Sequence, residues 1–180
     1  YEIASCLVGS EMCIRDRLSG TAFLESMNQE GQRRILDYYE PKESFTRKCF
    51  PDVEGVCYVI SRSGCQVAFL NDRKLSSAYK KYEKRGQLLE EILMGTQKRA
   101  LMHADVLGQK TLRQKLMTYF QFLNRRKGRD GFSLPFSYTD CADYLFVDRS
   151  AMMRELGRMK EEGLIRTEGK KIWLEEKKLR

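Results

Sequence analysis

The chain has 180 residues, 42% of them apolar and 32% charged, enough to bury the core of one ordinary domain or two small ones. Lys and Arg outnumber Asp and Glu by 33 to 25, and a pI near 9.2 suits a polyanionic partner such as nucleic acid or an acidic membrane surface. No segment approaches the roughly 20 consecutive apolar residues that a membrane-crossing helix needs, and no basic head followed by an apolar run marks a secretion signal, so the expectation is a cytoplasmic protein.

Residues 1–17, YEIASCLVGSEMCIRDR, carry no sustained period and no cap or turn signal. The run SCLVGSEMCIRDR resembles translated adaptor-derived sequence, and residues 1–20 are expected to stand outside the fold. From Ala22 to Tyr39 the spacing of Phe23, Leu24 and Met27, then Ile35, Leu36 and Tyr39, suggests one short helix or two, with Gly31 between them. Val56, Tyr58 and Ile60, then Val67 and Phe69, alternate and are β-branched or aromatic, which predicts two strands joined around Ser63-Gly64.

Six cysteines, none in a Cys-x-x-Cys pair, fit reduced thiols better than a disulfide framework. Cys49, Cys57 and Cys65 stand eight apart, looser than iron–sulfur motifs, so no cluster is expected, and Cys57 and Cys65 suit small apolar strand positions.

Leu75 to Tyr82 can form a short helix, which Gly86 interrupts before a long run from Gln87 to Leu107. Along that run Leu89, Leu93, Thr96, Ala100, His103 and Leu107 recur at steps of four and three, a single seam on an α-helix. Leu88, Ile92 and Met102 widen the stripe, so this helix calls for two neighbours: one from its own chain and one from a second subunit. A helix packed only on its own domain is the plainer reading. Gly108 supplies a stop.

Thr111 caps the next helix, in which Leu112, Leu116, Tyr119, Phe120 and Leu123 fall at helical spacing, and Arg125-Arg126-Lys127-Gly128 closes it with the charge that a helix C-terminus favours. A short extended segment, Phe132 to Phe136, follows. Ser137 or Thr139 then caps a helix with Cys141, Ala142 and Leu145 inward. A turn at Phe146-Val147-Asp148 leads to a second helix with Met152, Leu156 and Met159 inward and Arg149, Ser150, Met153 and Arg154 outward. Helix, short turn, helix is the helix-turn-helix unit, whose second helix fits the major groove of DNA. Arg149 and Arg154 stand about 140° apart around the axis, and their guanidinium forks match guanine O6 and N7. Two short strands, Leu164 to Arg166 and Lys171 to Leu174, flank Glu168-Gly169-Lys170 as a wing whose Lys170 and Lys171 meet phosphates.

Residues 111–175 resemble the C-terminal domain of the Crp/Fnr family of bacterial transcriptional regulators: TLRQKLMTYFQFL is similar to its first helix, and DRSAMMRELGRMKEEGLI to its recognition helix and the step into the wing. The resemblance implies base contacts by Arg149, Ser150, Met153 and Arg154, with Ser150 standing where a Glu often reads cytosine, and backbone contacts by Ser137, Thr139, Arg158, Lys170 and Lys171. It extends more loosely over Leu75 to Leu107 as a dimerisation helix, and CQVAFLNDRKL resembles the exit of the family's cyclic-nucleotide-type sensor barrel. Only about 50 residues separate Gly20 from Asn71, where eight strands need roughly 70.

The expected architecture is therefore α+β. Residues 1–20 stand outside it, 21–85 form an incomplete sensor barrel, 86–108 the dimerisation helix and 109–180 the winged helix-turn-helix domain. The barrel's phosphate-binding Gly-Glu turn and arginine are not found, Glu54 and Gly55 stand near the arginine's place, and Arg62 is a stray candidate, so no cyclic nucleotide is expected. The partners implied are double-stranded DNA bound at a palindromic operator, a second copy of the chain, and RNA polymerase; no membrane is expected.

No Gly-rich phosphate loop, His-Glu-x-x-His pair or nucleophile with a histidine base is present, and the only histidine, His103, lies in an apolar stripe, so neither catalysis nor a metal site is expected. A winged-helix module that binds protein rather than DNA is the alternative. A peripheral membrane protein needs a basic amphipathic helix, which residues 87–107 do not offer.

Overall fold

A computed structural model of the chain describes residues 20–27, 30–41, 43, 56–62, 83–128 and 130–175. It divides into two units, Tyr1–Ala100 and Leu101–Arg180.

In the first unit, β1 (Ala22–Met27), β2 (Arg33–Tyr39) and β3 (Val56–Ser61) form an antiparallel sheet in the order β2-β1-β3. The helices expected between Ala22 and Tyr39 are thus strands. In β1 the four consecutive residues Ala22, Phe23, Leu24 and Glu25 are all buried, so the strand is covered on both faces and its apolar residues do not alternate. Gly31, with φ +75°, serves the turn between β1 and β2 rather than a helix break. A register shift between Leu24 and Glu25 further blurs the period-two signal.

One side of this sheet packs Ala22, Leu24, Tyr39 and Val59, with Leu36 and Cys57 against them. Glu25, only 1% exposed, accepts from Arg33 at 3.3 Å and from Arg62, whose guanidinium also lies over the Phe23 ring. Arg62, the stray phosphate candidate, is thus engaged by a carboxylate of its own sheet. The second strand expected at Val67 and Phe69, the helix at Leu75 to Tyr82, Glu54, Gly55, Cys49 and Cys65 lie outside the described residues.

The long helix α1 spans Glu83–Gly108 and runs unbroken through Gly86. A glycine near a helix start costs about 1 kcal/mol relative to alanine, too little to stop a helix of this length. In the first unit Arg99 of α1 binds Asp37 of β2 at 3.0 Å, lies 3.9 Å from Glu43 and stacks over the Tyr39 ring. Burial pushes the Asp37 carboxyl above its usual range, and Arg99 works against that shift.

In the second unit α2 (Leu112–Lys127) opens on a capping box: the Thr111 hydroxyl accepts from the Gln114 amide and the Gln114 side chain accepts from the Thr111 amide. Its Leu116, Tyr119, Phe120 and Leu123 are all fully buried. There follow β4 (Phe132–Ser133), α3 (Tyr138–Leu145), α4 (Arg149–Glu161), β5 (Ile165–Glu168) and β6 (Lys171–Leu174), the strands forming an antiparallel sheet in the order β4-β6-β5. Tyr144, Leu145, Met152, Met159, Ile165 and Ile172 complete one core with the inner face of α2. Gly131, at φ +84°, is covered by the Trp173 indole, which stands only 2.5 Å from where a β-carbon would be. Any side chain there would have to displace the indole and hold a strained, positive-φ backbone.

Candidate nucleic-acid interface

Ser137 is the residue that caps α3: its hydroxyl accepts from the Asp140 amide at 3.1 Å and donates to the Asp140 carboxylate at 2.6 Å. Thr139 sits two residues further on, in the first turn, exposed. Cys141, Ala142 and Leu145 face inward as expected, joined by Asp140 and Tyr144. Burial, then the neighbouring Asp140, pushes the Cys141 thiol up to about 12. α3 ends where Phe146 enters the left-handed region at φ 53°, a conformation that turns the chain sharply toward α4.

Asp148 caps α4 by accepting from the Ala151 amide at 2.7 Å. Met152 and Met159 are fully buried and Leu156 is 7% exposed, so one side of α4 is anchored. Arg149, Ser150, Met153 and Arg154 all lie on the exposed side, at or near its N-terminus. Two arginines and a hydroxyl are thus gathered on a surface whose width matches a major groove. Arg158 is also exposed but stands 3.5 Å from Glu155 on the same helix.

Gly163, at φ +67°, ends the step out of α4, and the Leu164 amide donates to the Met159 carbonyl. β5 and β6 pair from Ile165↔Leu174 to Glu168↔Lys171, leaving Gly169-Lys170 as a two-residue turn with Gly169 at φ +57°. Lys170 and Lys171 are exposed there. Trp173 carries the Arg166 guanidinium over its ring at 4.0 Å and the Lys171 ammonium at 4.9 Å. The Tyr138 hydroxyl, at the start of α3, donates to the Gly169 carbonyl at 3.3 Å and ties the wing turn to that helix.

The seam expected on the long helix divides. Leu93 is 45% exposed, Ala100 is exposed, Thr96 and Leu107 are half-buried, and Leu101, outside the seam, is 64% exposed. The Leu89 side chain lies outside the described residues. His103, by contrast, is buried in its own chain: its Nε2 donates to the Tyr144 carbonyl at 2.7 Å, its ring stacks on Tyr144 at 3.9 Å and it meets the edge of Phe146. A carbonyl can only accept, so Nε2 carries the proton. His103 therefore satisfies one of the last carbonyls of α3 rather than facing outward.

Two residues escaped the sequence reading: Tyr138, and Arg113 in the first turn of α2. Arg113 donates through Nε to Glu155 at 2.5 Å and through both terminal nitrogens to Glu162 at 2.6 and 2.7 Å. Those hydrogen bonds, to Glu162 first and then to Glu155, hold its guanidinium above the usual range. Only the pairing of an isolated Arg with acids 42 and 49 residues later could have revealed it, and no sequence period encodes that.

A helix-turn-helix on a three-helix core, followed by a hairpin wing, makes Leu101–Arg180 a winged helix-turn-helix domain. Residues 114–180 match the family model described as the Crp-like helix-turn-helix domain. It is 24% identical over 164 residues to the transcriptional activator protein FnrL of Cereibacter sphaeroides, which covers 86% of this chain; the chain spans 65% of that protein's length.

Among solved structures it is similar in fold to FixK2 from Bradyrhizobium japonicum, with a TM-score of 0.72 at 22% identity, over 91% of this chain and 82% of that one. It is also similar to a CooA mutant from Carboxydothermus hydrogenoformans, with a TM-score of 0.78 at 14% identity, over 96% and 79%. A third is a cyclic nucleotide-binding domain containing protein from Listeria monocytogenes, with a TM-score of 0.76 at 11% identity, over 98% and 85%. Among the described residues no group of three His, Cys, Asp or Glu side chains is placed to hold a metal ion, and no helix is long and apolar enough to cross a membrane.

Proposed function

We propose that the protein is a sequence-specific transcriptional regulator that binds a palindromic operator as a homodimer in the cytoplasm, with α4 in the major groove. The observation that carries this reading is the division of α4 into a buried side of Met152, Leu156 and Met159 and an exposed side of Arg149, Ser150, Met153 and Arg154. Arg149 and Arg154 read guanines through N7 and O6, Ser150 bonds a base or phosphate, and Met153 makes apolar contact with a base edge. Thr139, Arg158, Lys170 and Lys171 hold the phosphates on either side. The Ser137 proton is committed to Asp140, so Ser137 serves the backbone by ordering the amides at the start of α3.

Two copies pair along the exposed part of α1, where Leu93, Met94 and Leu101 are uncovered, with Leu89, Thr96, Ala100 and Leu107 of the expected seam beside them. This sets two recognition helices about 34 to 36 Å apart, one DNA turn. RNA polymerase is the further partner a regulator of this family would engage. Selection of bound sequences from random duplex DNA, repeated with Arg149→Ala and Arg154→Ala, tests the reading. A palindrome is expected from the parent chain, each variant relaxing one position of the half-site. Binding that selects no sequence, or that ignores both substitutions, overturns it in favour of a protein-binding winged helix.

A further inference from the structure

We propose that Arg113 is a positioning residue for recognition: it sets the rotation and tilt of α4 and so aims Arg149 and Arg154 at the bases. The proposal rests on the DNA-reading role of α4 given above. Its grounds are geometric. Glu155 and Glu162 stand seven residues apart, two turns along α4 and its exit, and one guanidinium in the first turn of α2 holds both. The grip on Glu162 is bidentate, the arrangement that fixes direction as well as distance. Two points of attachment two turns apart resist a roll of the helix.

Glu155 immediately follows Arg154 in the chain, and its second oxygen faces Arg158, 3.5 Å away. Any roll of α4 that freed Glu155 would move Arg154 with it. The apolar anchors Met152 and Met159 fix α4 less strictly, since the unbranched methionine side chain repacks readily.

Arg113 also stands where the chain leaves α1. The long helix ends at Gly108, the Gln109 amide donates to the Val106 carbonyl, and the capping box of Thr111 and Gln114 starts α2, so only Gln109, Lys110 and Thr111 separate the end of α1 from α2. A change in the direction of α2 is carried by Arg113 straight to the recognition helix.

Arg113 is 37% exposed, and exposed ion pairs add little to folding stability. Its loss is therefore expected in the aim of α4, not in the fold.

The test uses the full chain and compares binding to the selected palindrome with binding to random duplex. In Arg113→Ala the preference for the palindrome falls about tenfold, the scale of one lost bidentate base contact. Affinity for random duplex and its salt slope stay as in the parent, because no phosphate contact is removed. Arg113→Lys, which keeps the charge without the fork, falls between the two. Should Arg113→Ala fail to fold, Glu162→Gln carries the test, since it weakens the bidentate grip and leaves the Glu155 contact.

Equal weakening on both duplexes, or an unchanged preference in Arg113→Ala and Glu162→Gln while the parent chain selects a palindrome, overturns the positioning role alone. A parent chain that selects no sequence overturns the DNA-reading role and this inference with it.

Discussion

The two units bury their residues by different rules. In Leu101–Arg180 the core is drawn mainly from helix faces at steps of three and four, and charged side chains lie mostly outside, as in the Arg113, Glu155 and Glu162 clamp; the buried carboxylate of Asp140 is held by the Ser137 cap. In Tyr1–Ala100 a carboxylate, Glu25, is 1% exposed inside the sheet, and the ion pair of Asp37 and Arg99 is largely covered. The first arrangement stabilises mainly by removing apolar surface from water; the second spends part of that gain on burying charge and depends on every partner being present. Cutting one contact in each unit should therefore produce different failures.

Leu145→Ala should have the largest effect. The residue is fully buried between the two helices of the helix-turn-helix, and its truncation leaves a cavity costing about 3 kcal/mol, read in a denaturant melt together with loss of DNA binding. Glu25→Ala tests the other rule. It leaves Arg33 and Arg62 facing a vacated acid site, and because both are more than a quarter exposed the expected cost is about 2 kcal/mol. Glu25→Gln should recover part of it, whereas no isosteric polar replacement should rescue Leu145.

A smaller effect separates the units by pH. The Cys141 thiol is pushed up to about 12 from 9.0, so the folded state holds its proton more tightly than the unfolded chain. Its contribution is fully present below pH 9.0 and is lost as pH rises towards about 12. Cys141→Ala should flatten that alkaline decline in the second unit, and a thiol reagent at mild pH should reach half-buried Cys57 before Cys141. Smallest of all, Asp148→Ala removes the cap of α4 and should cost about 1 kcal/mol, with a matching drop in the melting midpoint. An effect confined to DNA affinity there would show that the cap serves the interface more than the fold.

Legibility followed the same divide. The helices from Thr111 to Glu161 follow a period set by neighbours within the segment, so their inner residues and the turn at Phe146-Val147-Asp148 were readable, whereas the left-handed backbone of Phe146 was not. β1 escaped because it is covered on both faces and pairs with β3, whose partner residues stand 29 to 39 positions away, which no local window senses. The choice between Ser137 and Thr139 as cap was open in the sequence, since both oxygens precede the same apolar run. Backbone geometry settled it for Ser137.

Apolar spacing, cap residues and glycine positions were enough by themselves to specify a helix-turn-helix with two outward arginines and a basic wing, because each is a local consequence of chain geometry. Tertiary structure alone decided that Ala22 to Tyr39 is sheet, that Glu25 is buried and Asp37 largely covered, each with an arginine partner, that His103 turns inward to Tyr144, and that Arg113 grips the recognition helix. All four depend on groups brought together from distant parts of the chain, where hydrogen-bond direction and local dielectric, rather than sequence period, determine which partner wins.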